Sequence, residues 1–268
     1  MKRLDQVLVA RQLAASRTAA ARHIQAGEVL VDGQQITKPS TKVAADAVVR
    51  LTIAGPQYAS RAGHKLAGAL ETFGMVDVTD KRCLDAGAST GGFTDVLLQR
   101  GAKEVVAVDV GHNQIIQRLR VDPRIAVHEG INVRYLQRAD IGAPVDVVVS
   151  DLSFISLKLV LDALVGVCRP GAQLLLMIKP QFETGRERLP KTGVVSDPQQ
   201  RREAVTGVLE AALDFGLSPR GVATSPLAGQ DGNKEFFFWA THGSARAHLH
   251  DTIDAAQWLA TQNVDWAD

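Results

Sequence analysis

Leu84-Asp85-Ala86-Gly87-Ala88-Ser89-Thr90-Gly91-Gly92-Phe93 is the stretch on which the fold of this chain turns. It leaves an apolar run, Lys81–Ala86, and enters Gly91–Arg100, whose apolar residues have helical spacing. The stretch therefore reads as a strand-to-helix turn. Glycines at 87 and 91 remove side chains where the backbone must turn and where a ligand can approach it. Two common phosphate loops are rejected by the spacing. The dinucleotide fingerprint G-x-G-x-x-G, started at Gly87, needs a glycine where Ser89 stands. A P-loop needs Gly-Lys-Ser/Thr, and no such triplet follows. The pattern that remains is D-x-G-x-x-x-G-G.

Outward from this turn, strands alternate with helices. Glu104–Val110, Ile125–His128, Val145–Ser150 and Ala172–Lys179 are predicted strands, and Leu157–Val167 is a predicted helix. Near-continuous apolar strands in such alternation indicate a parallel sheet covered on both faces. Ligands in such sheets bind beyond the carboxyl ends of the strands, near the switch in strand order. The residues at those ends are chemically expressive. Asp109 closes the second strand and suits the two hydroxyls of a ribose, although an aspartate there also caps a helix. Asn132, after the third strand, is a candidate for base contact or a turn residue. Asp151 ends the fourth strand, Lys179 ends the fifth, and Glu235 opens the late strand Phe236-Phe237-Phe238-Trp239. Lys65 lies in Ser60–Leu66, just before the first body helix. A single charge at the end of an apolar run can simply mark where a strand reaches solvent. Asp151 and Lys179 at adjacent strand ends point instead to chemistry, because a lysine placed by carboxylates can help remove a proton from a weak acid.

The first 54 residues read differently. Leu4, Val7, Leu8 and Arg11 follow the i, i+3, i+4, i+7 rhythm of one helix, and Ser16 is placed to cap a second that ends near Gly27. Val29-Leu30-Val31, the turn Asp32-Gly33 and Gln34–Ile36 predict a hairpin, with Val48–Ile53 a further strand. Gly55-Pro56 marks a linker. The expected organisation is a head over 1–54, a linker over 55–59 and a body over 60–268. The head carries eight basic side chains against four acidic ones, while the chain as a whole has a net charge of +1. A basic head on a slightly acidic body suggests a polyanionic partner, and Lys2, Arg3, Arg17, Arg22 and Lys38 are the candidates to meet it. Arg186, Arg188 and Lys191, in the polar loop Glu183–Gly193, are candidates for phosphates near the body's site, or members of a solvated loop. The C-terminal stretch Ala245–Asp268 is expected to hold a helix with Ile253, Trp258 and Leu259.

Totals narrow the class. No apolar run reaches the roughly 18–20 residues of a membrane-spanning helix, and the opening Met1-Lys2-Arg3 leads into no secretory-type apolar stretch. The two cysteines, Cys83 and Cys168, sit in apolar runs without metal-ligand spacing. Free thiols, a reducing cytoplasm and no bound metal are expected.

Three resemblances organise these residues. The pattern Asp85-x-Gly87-x-x-x-Gly91-Gly92 resembles the first motif of S-adenosylmethionine methyltransferases. That likeness implies a cofactor site made of Asp85, Gly87, Ala88, Ser89, Gly91, Gly92, Phe93, Asp109 and Asn132. Lys65, Asp151, Lys179 and Glu235 resemble the Lys-Asp-Lys-Glu tetrad of FtsJ-like ribose methyltransferases, with Lys179 as the central lysine. By the same likeness, Asp151 and Phe154 lie beside the cofactor. In the head, Arg3-Leu4-Asp5, Ala15-Ser16-Arg17 and Val31-Asp32-Gly33 resemble the small RNA-binding domain named after ribosomal protein S-four. The combination resembles the TlyA family of ribosomal RNA 2′-O-methyltransferases, some members of which carry a haemolysin label. The most specific segments are Ser60–Leu66, Leu84–Phe93, Asp151–Ser156, Lys179–Glu183 and Gly232–Phe237. The likeness implies an α/β, Rossmann-like methyltransferase domain behind a small α+β S-four-like domain. It further implies S-adenosylmethionine as cofactor and a cytidine ribose in ribosomal RNA, bare or within subunits, as target. A non-catalytic binder of structured RNA and a membrane-active haemolysin are the alternatives. Two departures stand out: Ala62-Gly63 and Thr192-Gly193 occupy positions where family members often have paired glycines.

Overall fold

The computed structural model describes residues 1–11, 13–14, 16–44, 46–51, 58–243 and 253–267. The chain divides into two compact units, Met1–Gln57 and Tyr58–Asp268. Gly55-Pro56 of the expected linker, Ala15 of the head motif and residues 245–252 of the C-terminal stretch lie outside the described residues.

In the first unit, β1 (Lys2–Arg3) leads into α1 (Leu4–Ala10), followed by α2 (Arg17–Gln25), β2 (Val29–Val31), β3 (Gln34–Gln35), β4 (Lys42–Val43) and β5 (Val49–Leu51). Leu4, Val7 and Leu8 are buried against Ala20, Ile24, Val29 and Val49, as the helical rhythm requires. Arg11 departs from that stripe: it is exposed and donates from Nη1 to the Ala47 carbonyl at 2.7 Å. Ser16 Oγ accepts from the Ala19 amide at 3.2 Å, which caps α2. Asp32 and Gly33 adopt φ of 50° and 83°, the two left-handed positions of a tight hairpin turn, and Val31 pairs with Gln34 across it. The β1–β4 ladder has only two residue pairs, too few for an alternating pattern to be legible.

The second unit runs α3 (Ala62–Phe73), β6 (Arg82–Ala86), α4 (Gly92–Gln99), β7 (Glu104–Asp109), α5 (Gln117–Arg120), β8 (Ile125–Glu129), α6 (Arg138–Ile141), β9 (Val145–Ser150), α7 (Leu161–Gly166), β10 (Cys168–Ile178), α8 (Pro180–Glu183), α9 (Pro198–Asp214), β11 (Leu217–Thr224), β12 (Phe236–His242) and α10 (Ala255–Ala260). Its seven-stranded sheet has the order β11-β12-β10-β9-β6-β7-β8. Strand order reverses between β6 and β9, so the crevice for a ligand opens above their carboxyl ends. The expected Leu157–Val167 helix divides into a 3-10 turn, Leu157–Leu159, and α7. Lys65, expected before the first body helix, lies inside α3.

The sheet separates two apolar layers. One contains Leu84, Val148, Leu174, Leu176 and Ile178 with Leu161, Val205 and Leu209; the other contains Cys83, Val147, Leu175 and Met177 with Leu66, Phe93 and Leu97. Alternate side chains of β10 thus enter opposite layers. Each of Leu174 to Ile178 is at most 1% exposed, and burial of such a side chain stabilises by roughly 1.5–3 kcal/mol.

The five alternating strands β6 to β10 are parallel as expected, but the late strands extend the sheet differently. β12 runs antiparallel to both β10 and β11. β11 carries Pro219 and Gly221, which disguise it in sequence and which its edge position tolerates. The antiparallel insertion matters for the site. It brings the start of β12 to the carboxyl end of β10, where Ile178 pairs with Phe236. Glu235, one residue before β12, therefore reaches the same rim as Lys179, one residue past β10. Had β12 been parallel, Glu235 would sit at the opposite edge.

Candidate active site

The turn between β6 and α4 holds three left-handed residues, Gly87 (φ 88°), Ser89 (47°) and Gly91 (96°). Internal packing explains the two glycines. A Cβ on Gly87 would lie 2.9 Å from the Asp151 carbonyl oxygen, and one on Gly91 would lie 2.4 Å from Leu119 Cδ1. These glycines admit the neighbouring strand end and the α5 segment, so ligand approach is not their only requirement. Gly92 serves in the same way: its missing Cβ leaves room for Ser60 Oγ and the Gly63 amide. Ala62 is the first residue of α3, where alanine is well accommodated, and the left-handed position near Thr192 is taken by Gly193 (φ 73°). Neither departure from paired glycines therefore strains the backbone.

Asp85, one residue before the end of β6, is completely buried beside this turn. Its Oδ2 accepts from the Thr94 amide at 2.8 Å and from Thr94 Oγ1 at 2.6 Å, while Oδ1 has no hydrogen-bond partner. Burial pushes its carboxyl up to about 7, against the opposing Thr94 bonds, and the charges of Asp151 and Asp109 push the same way. Asp109 is engaged at both oxygens, by the Ser89 amide at 2.8 Å and the Gly111 amide at 2.7 Å. A carboxylate offers about four lone-pair sites, so two remain for incoming hydroxyls. Three carboxyl groups thus gather at the ends of β6, β7 and β9. Asp151 is balanced by Lys179, so Asp109 and, above about pH 7, Asp85 supply the negative charge that suits a cationic ligand. S-adenosylmethionine carries both an ammonium and a sulfonium.

The remaining expected cofactor positions divide. Gly87 and Ser89 keep exposed surface, whereas Ala88, Gly91, Gly92 and Phe93 are buried. Phe93 stacks on Phe237 at 6.1 Å and is a core ring. Asn132 Oδ1 caps the 3-10 turn Val133–Tyr135 by accepting from the Arg134 amide at 3.0 Å. Phe154 is 92% exposed at φ 63°, an outlying conformation for a bulky residue, and its ring lies 5.3 Å from that of Phe182.

Beside this turn stand two buried ion pairs. Lys179 Nζ lies 2.6 Å from Asp151 Oδ1 and donates to Ser153 Oγ at 2.8 Å. Lys65 Nζ donates to Glu235 Oε2 at 2.5 Å. Lys65 and Lys179 are 8% exposed and Glu235 3%, so each charge is compensated by its partner rather than by water. Lys65 comes from α3, Asp151 from the end of β9, Lys179 from the end of β10, and Glu235 from the start of β12. Two supporting groups escaped the sequence reading. Ser153 is the second partner of Lys179, and Glu183 holds the far end of the same loop. Glu183 accepts from Ser156 Oγ at 2.5 Å and from the Leu157 amide at 2.7 Å. Burial raises its carboxyl, while those two bonds and Lys158 lower it. Only its place in Lys179–Glu183, among the segments quoted for the family likeness, hinted at it.

The candidate RNA contacts also divide. Lys2, Arg17, Arg22 and Lys38 are exposed on the first unit, while Arg3 is half-buried. Arg186 and Lys191 are exposed on the second, but Arg188 pairs with Glu203 of α9 at 2.6 Å and is partly neutralised. Cys83 and Cys168 are buried free thiols. Among the described residues, no cluster of potential metal ligands occurs and no helix is long and apolar enough to cross a membrane.

Comparison with known proteins fits this geometry. Residues 58–242 match the family model of the FtsJ-like methyltransferases, and residues 2–49 match the S4 domain. The chain is 49% identical over 246 residues to the 16S/23S rRNA (cytidine-2′-O)-methyltransferase TlyA of Mycobacterium tuberculosis, covering 91% of each protein. It is 36% identical over 235 residues to Hemolysin A of Brachyspira hyodysenteriae, covering 87% of this chain and 97% of that one. A solved structure of a hemolysin-labelled protein from Streptococcus thermophilus superposes with a TM-score of 0.72 at 35% identity, over 97% of this chain and 96% of the other.

Proposed function

The chain belongs to the TlyA family of FtsJ-like methyltransferases, and from that membership we propose that it methylates the 2′-hydroxyl of a cytidine ribose in ribosomal RNA. The observation that carries the chemistry is Lys179, held between Asp151 Oδ1 and Ser153 Oγ at the rim of the carboxylate-lined crevice.

S-adenosylmethionine, when bound, supplies an electrophilic methyl group. Asp85, Asp109 and the Gly87–Gly92 turn would hold it, with Asp109 taking the ribose hydroxyls of its adenosine. Asn132 and Phe154 would border the adenosine and the methyl-bearing end. The target hydroxyl is a very weak acid, so its proton must leave as the oxygen attacks. Lys179, an ammonium in its pair with Asp151, must first release a proton to solvent. The neutral Nζ then orients that oxygen and receives the hydroxyl's proton, and Asp151 stabilises the ammonium that re-forms. Lys65 and Glu235 form a second compensated pair on the same rim, which keeps the site electrically balanced when RNA phosphates approach. The head supplies affinity through Lys2, Arg3, Arg17, Arg22 and Lys38, with Arg186 and Lys191 adding phosphate contacts near the reaction. An enzyme of this substrate works in the cytoplasm.

A binding protein without catalysis would keep the basic head but would not need two buried lysine–carboxylate pairs, since desolvating such charges is costly. The test is transfer of methyl label. Purified protein with methyl-labelled S-adenosylmethionine should label 16S or 23S ribosomal RNA; no label in either, free or in subunits, refutes the proposal.

A further inference from the structure

In the first unit one acidic residue stands among the arginines assigned to RNA. Asp5, in the first turn of α1, has a side chain only 5% exposed. Arg3 donates to it twice, from Nε to Oδ1 at 3.1 Å and from Nη2 to Oδ2 at 2.9 Å. Arg17, the first residue of α2, donates from Nη2 to the same Oδ2 at 3.3 Å. The Gln6 amide completes the set at 2.9 Å from Oδ1. The two guanidinium groups are outward of this carboxylate, with side chains 43% and 60% exposed.

We infer that Asp5 is a positioning residue that joins Arg3 and Arg17 into one two-pronged phosphate clamp on the head. A guanidinium has five N–H donors, so Arg3 keeps three and Arg17 keeps four for an anion. The pair plus one carboxylate retains a net charge of +1. A flexible arginine loses rotamer freedom when it grips a phosphate, and a shared buried carboxylate removes part of that cost in advance. The bidentate Arg3 contact is the geometry that best fixes a planar guanidinium. Asp5 also spans two segments, linking the entry of α1 to the start of α2. The Arg3 contact holds the Asp5 carboxyl below its ordinary range, against the opposing effect of burial.

This inference rests on the head's role in binding RNA, and the experiment separates the two. Filter binding of the full chain to purified 16S and 23S ribosomal RNA is compared for wild type, Asp5→Asn, Arg3→Ala/Arg17→Ala and the triple variant. Removing an acid adds positive charge, so a carboxylate that merely repels RNA would make Asp5→Asn bind more tightly. The clamp predicts the reverse: Asp5→Asn weakens binding about 3- to 10-fold. It also predicts that Asp5→Asn costs nothing further in the Arg3→Ala/Arg17→Ala background, which loss of folding would not reproduce. Equal or tighter binding by Asp5→Asn, or a further loss in the triple variant, overturns the clamp while leaving the head's RNA role intact. If Arg3→Ala/Arg17→Ala leaves affinity unchanged, the assignment of these arginines to RNA fails and the clamp with it.

Discussion

Asp85→Asn should make this protein more stable and less able to hold its cofactor. Asp85 has no exposed surface, and its carboxyl stands at about 7 instead of 3.8, chiefly through burial. That displacement corresponds to roughly 4 kcal/mol between the two protonation states. The native protein keeps a proton here that the unfolded chain releases near 3.8. The contribution to stability is therefore full below that pH and is lost as pH rises through about 7. Asparagine fits the site, because its oxygen can accept both Thr94 bonds and its amide then occupies the place of the unpartnered Oδ1. An unpaired amide costs about 1–3 kcal/mol, which offsets part of the gain. The net expectation at pH 8 is a stabilisation of roughly 1–3 kcal/mol, or a rise of about 2–8 °C in Tm, shrinking as pH falls toward 5. Thermal melts of the ligand-free chain across that range measure it directly. Calorimetric titration with S-adenosylmethionine should show weaker binding, with the wild type also losing affinity below pH 7. A variant that melts lower at pH 8 and binds cofactor like the wild type would refute the reasoning.

Two further outcomes test the site from other directions. Lys179→Ala should bind S-adenosylmethionine within about twofold of wild type yet lose at least ~100-fold in turnover, and full activity would remove Lys179 from its role. Gly91→Ala places a Cβ 2.4 Å from Leu119 Cδ1 at a φ of 96°, so Tm and cofactor affinity should both fall, the left-handed alanine alone costing about 1–2 kcal/mol; unchanged melting and binding would count against the packing argument.

The legible parts of the fold were those with strong local patterns. Val145–Ser150 holds the apolar run Val147-Val148-Val149, and Asp32-Gly33 demands a particular turn, so both read directly. β11 did not, because Pro219 and Gly221 break its pattern and only its edge position permits them. α9 begins with the polar run Gln199–Glu203, although Ala204, Val205, Val208, Leu209, Ala212 and Leu213 supply a helical stripe further on. In the site, Lys179 and Asp151 followed from being strand ends. Glu235 joins them through the reversed direction of β12, which no local signal encodes. Ser153 and Glu183 act through contacts 26 and 27 residues distant in sequence, and spacing rules do not reach that far. Phe93 shows the opposite failure: a motif position that reads as ligand-facing is occupied by a core ring.

Nucleoside analysis of the methylated RNA tests the central claim most directly. After the protein has acted on 16S and 23S ribosomal RNA, complete digestion and mass spectrometry should find the added methyl on the ribose of cytidine, at a linkage that resists alkaline cleavage. Lys179, fixed beside Asp151 and Ser153, is built for a weakly acidic hydroxyl, so a methyl found on a base would contradict the account.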